Sequence, residues 1–292
     1  MQLGLKLDYN YRERSSYREL YGPGPVVDTL REDGIRAVET AVWPDMEHTE
    51  LLGFIRECVE ADLRVSLHPY TEGTEYNPAF FANTDDNQAR ELHIRFFKIA
   101  TLTAELQQAD VMVNIHPAAD AGPHSRGSLV RQSVQFFSWA REWCGEHAPR
   151  VQPVAELQIA PDMGAPVKRI GDRFEELERV VKWSDVSATW DFGHAVLNHV
   201  RFGSPRTPSE TLLPRIAHVH CHDVTEEDHR PLQNGKVPWR QFLNRLLGAG
   251  FDGTVILEIP PRNFLADGGR EAFSRTVRSM KEYLESFGDS SR

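Results

Sequence analysis

The chain has 292 residues, of which 40% are hydrophobic and 26% are charged, a composition that excludes collagen, mucin-like stalks and disordered tails. Its 43 acidic and 33 basic residues give a net charge of -10, which disfavours a broad non-specific nucleic-acid surface. Cys58, Cys144 and Cys221 are too few and too widely spaced for a disulfide framework or a Cys-x-x-Cys metal site.

The N-terminal stretch MQLGLKLDYNYRER does not show the basic and apolar regions of a signal peptide, and the apolar runs are shorter than a membrane span. Together with the odd cysteine count, this leads us to expect a cytoplasmic protein. The polar tail, residues 286–292, is expected to fray. Since no low-complexity linker divides the chain, we predict one domain over residues 1–292.

Short apolar runs alternate with longer amphipathic runs along the chain. The predicted strands are 3–9, 35–40, 63–68, 109–116, 150–157, 185–191, 215–222 and 253–259. The predicted helices are 25–33, 47–61, 86–107, 127–146, 168–183, 238–250 and 269–287. This alternation favours parallel strands joined by right-handed crossovers.

Two architectures fit such an alternation. A doubly wound open sheet requires a glycine-rich phosphate turn after the first strand, but here the first strand leads into DYNYRERSSYREL, which contains no glycine. Eight βα units in about 250 residues match the (β/α)8 barrel in size. The predicted fold class is therefore α/β, as a single (β/α)8 TIM barrel.

An acidic residue or a histidine lies within the last three positions of every predicted strand. In chain order these residues are Asp8, Glu39, His68, His116, Glu156, Asp191, His220 and Glu258. Barrels of this class place their chemistry at the C-terminal ends of the strands, and a buried carboxylate there is costly without a cation. Because imidazole and carboxylate groups are the ligands of divalent metals, the pattern predicts a metal site at the barrel mouth.

Several residues leave two interpretations open. His194, Glu227 and His229 lie just beyond the strand ends, where they would supply further ligands. His218 and His222 share the strand face of His220 by alternation, so they are core residues or partners that orient the ligands. Glu39 and Asp8 are equally compatible with a purely structural role.

The motifs SLHPY, NIHPA, AELQ, WDFGH, HVHCHD, DHRPL and ILEIP, spread over residues 35–260, resemble the xylose isomerase-like TIM-barrel superfamily. This superfamily includes sugar isomerases and epimerases and the endonuclease IV type of apurinic-site endonucleases (AP endonuclease family 2). The resemblance implies a shared metal site formed by Glu156, Asp191, His220 and Glu258. In the sugar branch one divalent ion, manganese or cobalt, holds two sugar oxygens, and the two glutamates act as acid and base.

In the endonuclease branch, the resemblance implies up to three zinc ions with additional ligands. The residues at those positions are His68, His116, His194 and His229. This chain departs from that pattern in three places. It has Glu227 where the branch has Asp, Leu157 where it has Asn, and Gln233-Asn234-Gly235 where it has a G-x-G turn.

The first functional hypothesis is a divalent-metal-dependent isomerase or epimerase of a sugar or sugar phosphate, which acts by proton transfer through a metal-stabilised enediolate. Its catalytic residues would be Glu156, Glu258 and His194, and Trp43 would give an apolar wall, together with Trp190 and Phe192. The second is a multi-zinc phosphodiesterase acting on abasic DNA. A polyol or cyclitol dehydratase on the same metal site is a third.

The loop after His68 separates the first two hypotheses. Its sequence, TEGTEYNPAFFANTDDN, carries two Glu and two Asp and lacks Lys and Arg, so it would repel the phosphates of DNA. This favours a small sugar-like substrate. Arg230, Lys236 and Arg262 lie in the last two loops, where barrels often bind a substrate phosphate. The sequence leaves both the phosphate and homo-oligomer formation open.

Overall fold

A computed structural model of the chain describes residues 1–82, 84–85, 87–232 and 235–288. The strands are β1 (Gln2–Lys6), β2 (Ala37–Val42), β3 (Arg64–Pro69), β4 (Val111–Ile115), β5 (Ala119–Asp120), β6 (Val151–Glu156), β7 (Lys168–Arg169), β8 (Ser187–Asp191), β9 (Ile216–Cys221) and β10 (Thr254–Leu257). All except β5 and β7 pair in parallel into a closed barrel, in the order β1-β10-β9-β8-β6-β4-β3-β2. The predicted barrel is confirmed, and the open sheet is excluded because β1 pairs with both β10 and β2.

The helices lie between the barrel strands and follow them along the chain. They are α1 (Ser15–Tyr21), α2 (Val26–Glu32), α3 (His48–Glu60), α4 (Gln88–Gln107), α5 (Arg126–His147), α6 (Phe174–Ser184), α7 (Phe192–Phe202), α8 (Trp239–Gly248), α9 (Pro261–Ala266) and α10 (Arg270–Gly288). Side chains buried on both faces of the strands make the core, which is why the strands are rich in Val, Ile and Leu. Within the described ranges, we find no helix with the length and apolarity that crossing a membrane requires.

Several sequence predictions differ from the structure, and the short helices α1 and α9 were not predicted. The segment 168–183 begins with the short strand β7, and its helix starts only at Phe174 because Gly171 adopts a positive φ of 84°. The helix α7 was not predicted, since Gly193 and the β-branched Val196 weaken its helical signal. β1 ends at Lys6, so Asp8 lies beyond the strand. Most of the predicted frayed tail, residues 289–292, lies outside the described residues, and so do Gln233 and Asn234.

One side of the barrel mouth is tied together by its loops. β5 and β7 form a two-stranded antiparallel sheet that joins the loops after β4 and β6. Arg169 on β7 also lies 2.8 Å from a carboxylate oxygen of Glu72, in the loop after β3. Arg126, at the start of α5, binds Asp172 and Glu176 and so anchors the base of the same sheet. These contacts link the loops that follow three of the eight barrel strands, β3, β4 and β6.

The aromatic cluster behind this rim should contribute strongly to stability. Phe136 is fully buried and meets Phe81 and Phe137 edge to face. Phe136→Ala is expected to lower the free energy of unfolding by about 3–5 kcal/mol because it leaves a cavity, as measured by urea denaturation. Trp183 is 60% exposed on α6, so Trp183→Ala should change it by less than about 0.5 kcal/mol. Equal effects of the two substitutions would contradict this packing.

Candidate metal centre

Four side chains from neighbouring strands meet at the C-terminal end of the barrel. Glu156 ends β6, Asp191 ends β8, His220 lies in β9 and Glu258 follows β10. One ligand atom from each lies within 4.8 Å of the others, and each residue is at most 2% exposed. Nδ1 of His220 is central, because it lies 3.0 Å from Glu258, 3.3 Å from Glu156 and 3.8 Å from Asp191. The structure thus brings together the four residues that the sequence singled out as metal ligands.

The ligand atoms of this group are left without ordinary partners. Oε1 of Glu156, Oε2 of Glu258 and Nδ1 of His220 are buried, and none makes a hydrogen bond to any residue that the structure describes. Buried polar atoms are otherwise nearly always hydrogen-bonded. Carboxylate oxygens and an imidazole nitrogen that converge without partners are the donor set of a divalent cation. The residues present therefore fit a metal ion.

A second group shares Glu156 with the first. Nε2 of His68 and Nε2 of His116 lie 3.4 and 3.3 Å from Oε2 of Glu156. Nδ1 of His68 lies 2.8 Å from the backbone oxygen of Asn114, which leaves Nε2 free to face the carboxylate. The Asn114 amide also donates to Oε2 of Glu156 at 2.5 Å. The two oxygens of Glu156 thus face two different ligand groups.

A third group consists of His194, His222 and His229. Nδ1 of His194 lies 3.0 Å from the Leu157 carbonyl. The rings of His222 and His229 stack, with centroids 4.3 Å apart. Glu227, at the sequence position of a ligand, does not join the group.

The loop conformation accounts for the position of Glu227. Its side chain is 76% exposed and pairs with Arg230, because the loop turns Asp228 toward His229 instead. His229 makes this turn with a positive φ of 53°. The acidic neighbour of the histidine group is therefore Asp228, one residue later than the sequence pattern suggests.

Asp191 also shapes the backbone around the centre. As the N-cap of α7, its Oδ1 accepts the backbone N–H of His194 at 2.6 Å. Its carboxylate also contacts Nε2 of His222 at 3.1 Å. Gly193 lies between them, where an added Cβ would come 2.0 Å from Cε1 of His222. The motif WDFGH therefore contains Asp191, which is both a candidate ligand and the N-cap of α7, and Gly193, which allows the close approach of His222.

Lys6, which the sequence analysis did not select, reaches the same centre. Its Nζ donates to Oε1 of Glu258 at 2.6 Å and to the Tyr70 hydroxyl at 2.5 Å. Tyr70 in turn stacks on Trp43, with ring centroids 5.9 Å apart. The Lys6 side chain is 18% exposed and so borders the open mouth. The available signal was a single charged residue in the otherwise apolar run LGLKL.

The charges of the centre strongly bias its titration. Burial raises the pKa of Glu156, but His220, His116 and His68 outweigh it and hold that pKa well below its usual range. Burial lowers the pKa of His220, but Glu39, Glu258 and Glu156 raise it well above its ordinary value. Without a metal, the carboxylates thus favour a protonated imidazole in the middle of the site, where a cation would otherwise lie.

The remaining predicted residues lie around the centre or away from it. Trp190 and Phe192 are fully buried and pack on Phe242, so they belong to the core. Arg230 pairs with Asp267 and Glu227. Nζ of Lys236 donates to the Thr225 carbonyl at the surface. Asp8 pairs with Arg14 at 2.7 Å. Of the three aromatic residues predicted to form an apolar wall, Trp43 is the one that borders the mouth, where it stacks on Tyr70.

The whole-chain comparisons agree with this architecture. The sequence model of a family described as xylose isomerase-like TIM barrel matches residues 27–283. An uncharacterized protein of Methanocaldococcus jannaschii is 25% identical over 181 residues, which cover 60% of this chain. The match spans 62% of that relative, less than two thirds of its length.

Solved structures of different activities share the fold. The D-psicose 3-epimerase of Clostridium cellulolyticum H10, solved with D-tagatose, has a TM-score of 0.67 at 12% identity, covering 97% of this chain and 98% of that one. A family 2 AP endonuclease of Brucella melitensis has a TM-score of 0.63 at 14% identity, and the match covers 97% of this chain and 99% of that one. The IOLI protein, solved with a zinc atom, has a TM-score of 0.63 at 17% identity, and the match covers 96% of both chains. At these identities the likeness shows the fold alone.

The close approach at Gly193 can be tested directly. Gly193→Ala is expected to displace His222 from Asp191 and to lower the free energy of unfolding by about 1–3 kcal/mol. Gly145, on α5, has open space around its Cα, so Gly145→Ala should stabilise by up to about 1 kcal/mol through helix propensity. Urea denaturation of the metal-free proteins would measure both. Unchanged stability in Gly193→Ala would contradict the contact.

Proposed function

Because the chain belongs to the xylose isomerase-like TIM-barrel family, we propose that it is a divalent-metal-dependent isomerase or epimerase of a sugar or sugar phosphate. The observation that carries the proposal is the convergence of two buried glutamates on one imidazole nitrogen, at 3.0 and 3.3 Å. This arrangement combines a candidate cation site with two carboxylates that are able to exchange protons. The epimerase solved with D-tagatose supports a ketose-like substrate.

Glu156, Asp191, His220 and Glu258 would hold the ion. The donor set is one nitrogen and three carboxylates, which suits manganese, cobalt or zinc, and the zinc atom in the IOLI protein supports a divalent ion. Such an ion polarises the carbonyl of a bound sugar and makes the neighbouring C–H more acidic. One ion in this four-residue site is the simplest form of the centre.

Proton transfer falls to the two glutamates and their neighbours. Glu156 and Glu258 are separated around the barrel by β8 and β9, so they do not lie diametrically opposite, and they approach a substrate carbon from different sides of His220. One carboxylate would remove the proton and the other would return it on the other face or at the adjacent carbon. His194, 3.3 Å from Asp191, would hydrogen-bond a substrate hydroxyl.

The open side of the centre offers groups for binding a polyhydroxy compound. Lys6 has three N–H donors, and the two contacts to Glu258 and Tyr70 leave one for a substrate oxygen. Trp43 and Tyr70, stacked at the mouth, provide an apolar face beside it. A sugar presents both kinds of surface, hydroxyl groups and an apolar ring or chain face.

The charges at the rim disfavour a polyanionic substrate. Arg169 is paired with Glu72, Arg201 with Asp162 and Arg126 with Asp172 and Glu176. Cations already neutralised by carboxylates add little to phosphate binding, which depends on free Lys and Arg charges. A small neutral or singly phosphorylated substrate therefore suits the mouth better than DNA.

A multi-zinc phosphodiesterase is the second candidate, and one observation favours it. Oε2 of Glu156 faces His68 and His116 while Oε1 faces the first group, so this carboxylate could supply a ligand atom to each of two groups. Two-metal sites commonly serve phosphoryl transfer. The AP endonuclease among the structural neighbours supports this alternative.

Metal content should separate these two candidates. Protein purified without chelator or added metal is expected to contain about one manganese, cobalt, nickel or zinc ion per chain, measured by elemental analysis. Asp191→Asn should lower this content at least tenfold because it weakens one of the four ligands, whereas the exposed Asp45→Asn should not change it. Two or three zinc ions per chain would overturn the single-ion centre and favour the phosphodiesterase.

Exchange of carbon-bound hydrogen tests the reaction itself. In D₂O the metal-loaded protein should incorporate deuterium into at least one member of a panel of ketoses, aldoses, inososes and their phosphates, followed by NMR. Glu156→Gln and Glu258→Gln should each slow the exchange by about 10²–10⁴-fold, while Glu75→Gln, on the exposed loop after β3, should not. Metal content is measured in every variant. Cleavage of an abasic-site oligonucleotide without any exchange would refute the proposal.

A further inference from the structure

Glu39 lies on β2, inside the barrel and below the metal centre. Its carboxylate is 1% exposed and meets two histidines of β9, a strand three positions away around the barrel. Oε1 lies 2.7 Å from Nε2 of His220, and Oε2 lies 2.9 Å from Nε2 of His218. Because His218 and His220 alternate along β9, they point to the same side, and one carboxylate reaches both.

The negative charge of Glu39 beside Nε2 bears on which nitrogen of His220 carries hydrogen. An ionised carboxylate presents only lone pairs to its neighbours. At 2.7 Å from Oε1 of Glu39, a hydrogen on Nε2 is therefore favoured over a lone pair there, although the two atoms are not aligned as a regular hydrogen bond. A cation would bind His220 in its neutral form, which has one N–H and keeps a lone pair on the other nitrogen. For His220 that other nitrogen is Nδ1, the atom that faces Glu156 and Glu258 without a hydrogen-bond partner among the described residues.

One contact would favour the opposite tautomer. The Asn114 amide nitrogen lies 3.4 Å from Nε2 of His220 and would donate to it if that atom had a lone pair. However, the same amide donates to Glu156 at 2.5 Å, while its oxygen accepts from the Thr189 hydroxyl at 2.7 Å. The carboxylate of Glu39 also lies closer to Nε2, at 2.7 Å, and its negative charge favours a hydrogen on that nitrogen.

We infer that Glu39 is a positioning residue that fixes the Nε2–H tautomer of His220 and thereby makes Nδ1 a metal ligand. The inference rests on the metal centre of the proposed function but not on the identity of its substrate. His218 and the Ser66 hydroxyl, 3.4 Å from Oε2, hold the far oxygen of Glu39. The carboxylate is thus kept in the orientation that His220 requires.

A cobalt titration of the full-length, metal-free protein tests this role. Co²⁺ binding is followed by its visible absorption bands, which report both affinity and coordination. Glu39→Gln is expected to weaken Co²⁺ binding by about 10–100-fold, the usual effect of removing a residue that orients a metal ligand. Glu39→Asp, which is one methylene too short to reach His220, should show a similar loss. His218→Gln is the matched control, because its side-chain amide is able to donate to Oε2 of Glu39 in place of Nε2 of His218. The carboxylate then keeps its contact with His220, and the affinity should change less than threefold.

The outcomes distinguish this inference from the function on which it rests. If the wild-type protein does not bind Co²⁺, the metal centre itself is wrong. If wild type and Glu39→Gln bind Co²⁺ equally, the centre stands and the inference is overturned. If the Glu39 variants do not fold, as judged by circular dichroism, the tautomer is measured in zinc-loaded wild-type protein by long-range ¹H–¹⁵N correlation. A proton on Nε2 of His220 supports the inference, and a proton on Nδ1 overturns it.

Discussion

The structure depends on negative charge buried at the C-terminal end of a closed barrel. Glu39, Glu156, Asp191 and Glu258 are all at most 2% exposed, and among the described residues Lys6 is the lysine that pairs directly with this group. A buried, uncompensated carboxylate is among the most unfavourable groups in a protein. The neighbouring histidines offset part of that repulsion, and a cation bound there would offset more, so the same groups that weaken the apo protein suit it to a divalent cation.

Much of this arrangement could be predicted because two regularities act together. Parallel strands buried on both faces appear as short apolar runs, and their polar C-terminal ends stand out against those runs. Glu156, Asp191 and His220 were found in this way. Closure of the barrel then brings positions that are far apart in the sequence to one rim, which the sequence pattern alone implies only once the fold is known.

The features that could not be predicted depend on loop geometry or on contacts across the barrel. Glu227 has the right spacing for a ligand, but the backbone turn at His229 directs Asp228 inward instead. Lys6 gives only a weak signal, since a lysine at the end of a strand usually points to solvent. His222 shares a strand face with His220, yet its contact with Asp191 depends on the missing side chain of Gly193.

The carboxylate of Glu156 couples metal binding at the two groups that it faces. Since one carboxylate contributes an oxygen to each of two ligand groups, occupancy of one group alters the charge and orientation available to the other. Such coupling is reciprocal by thermodynamic linkage: whatever the first ion does to the affinity of the second, the second does to the first. An ion bound in the first group would neutralise part of the shared carboxylate and so disfavour a second cation, which would make binding to the two groups negatively cooperative. Whether one ion or two ions are bound would then depend on the metal concentration as well as on the ligands.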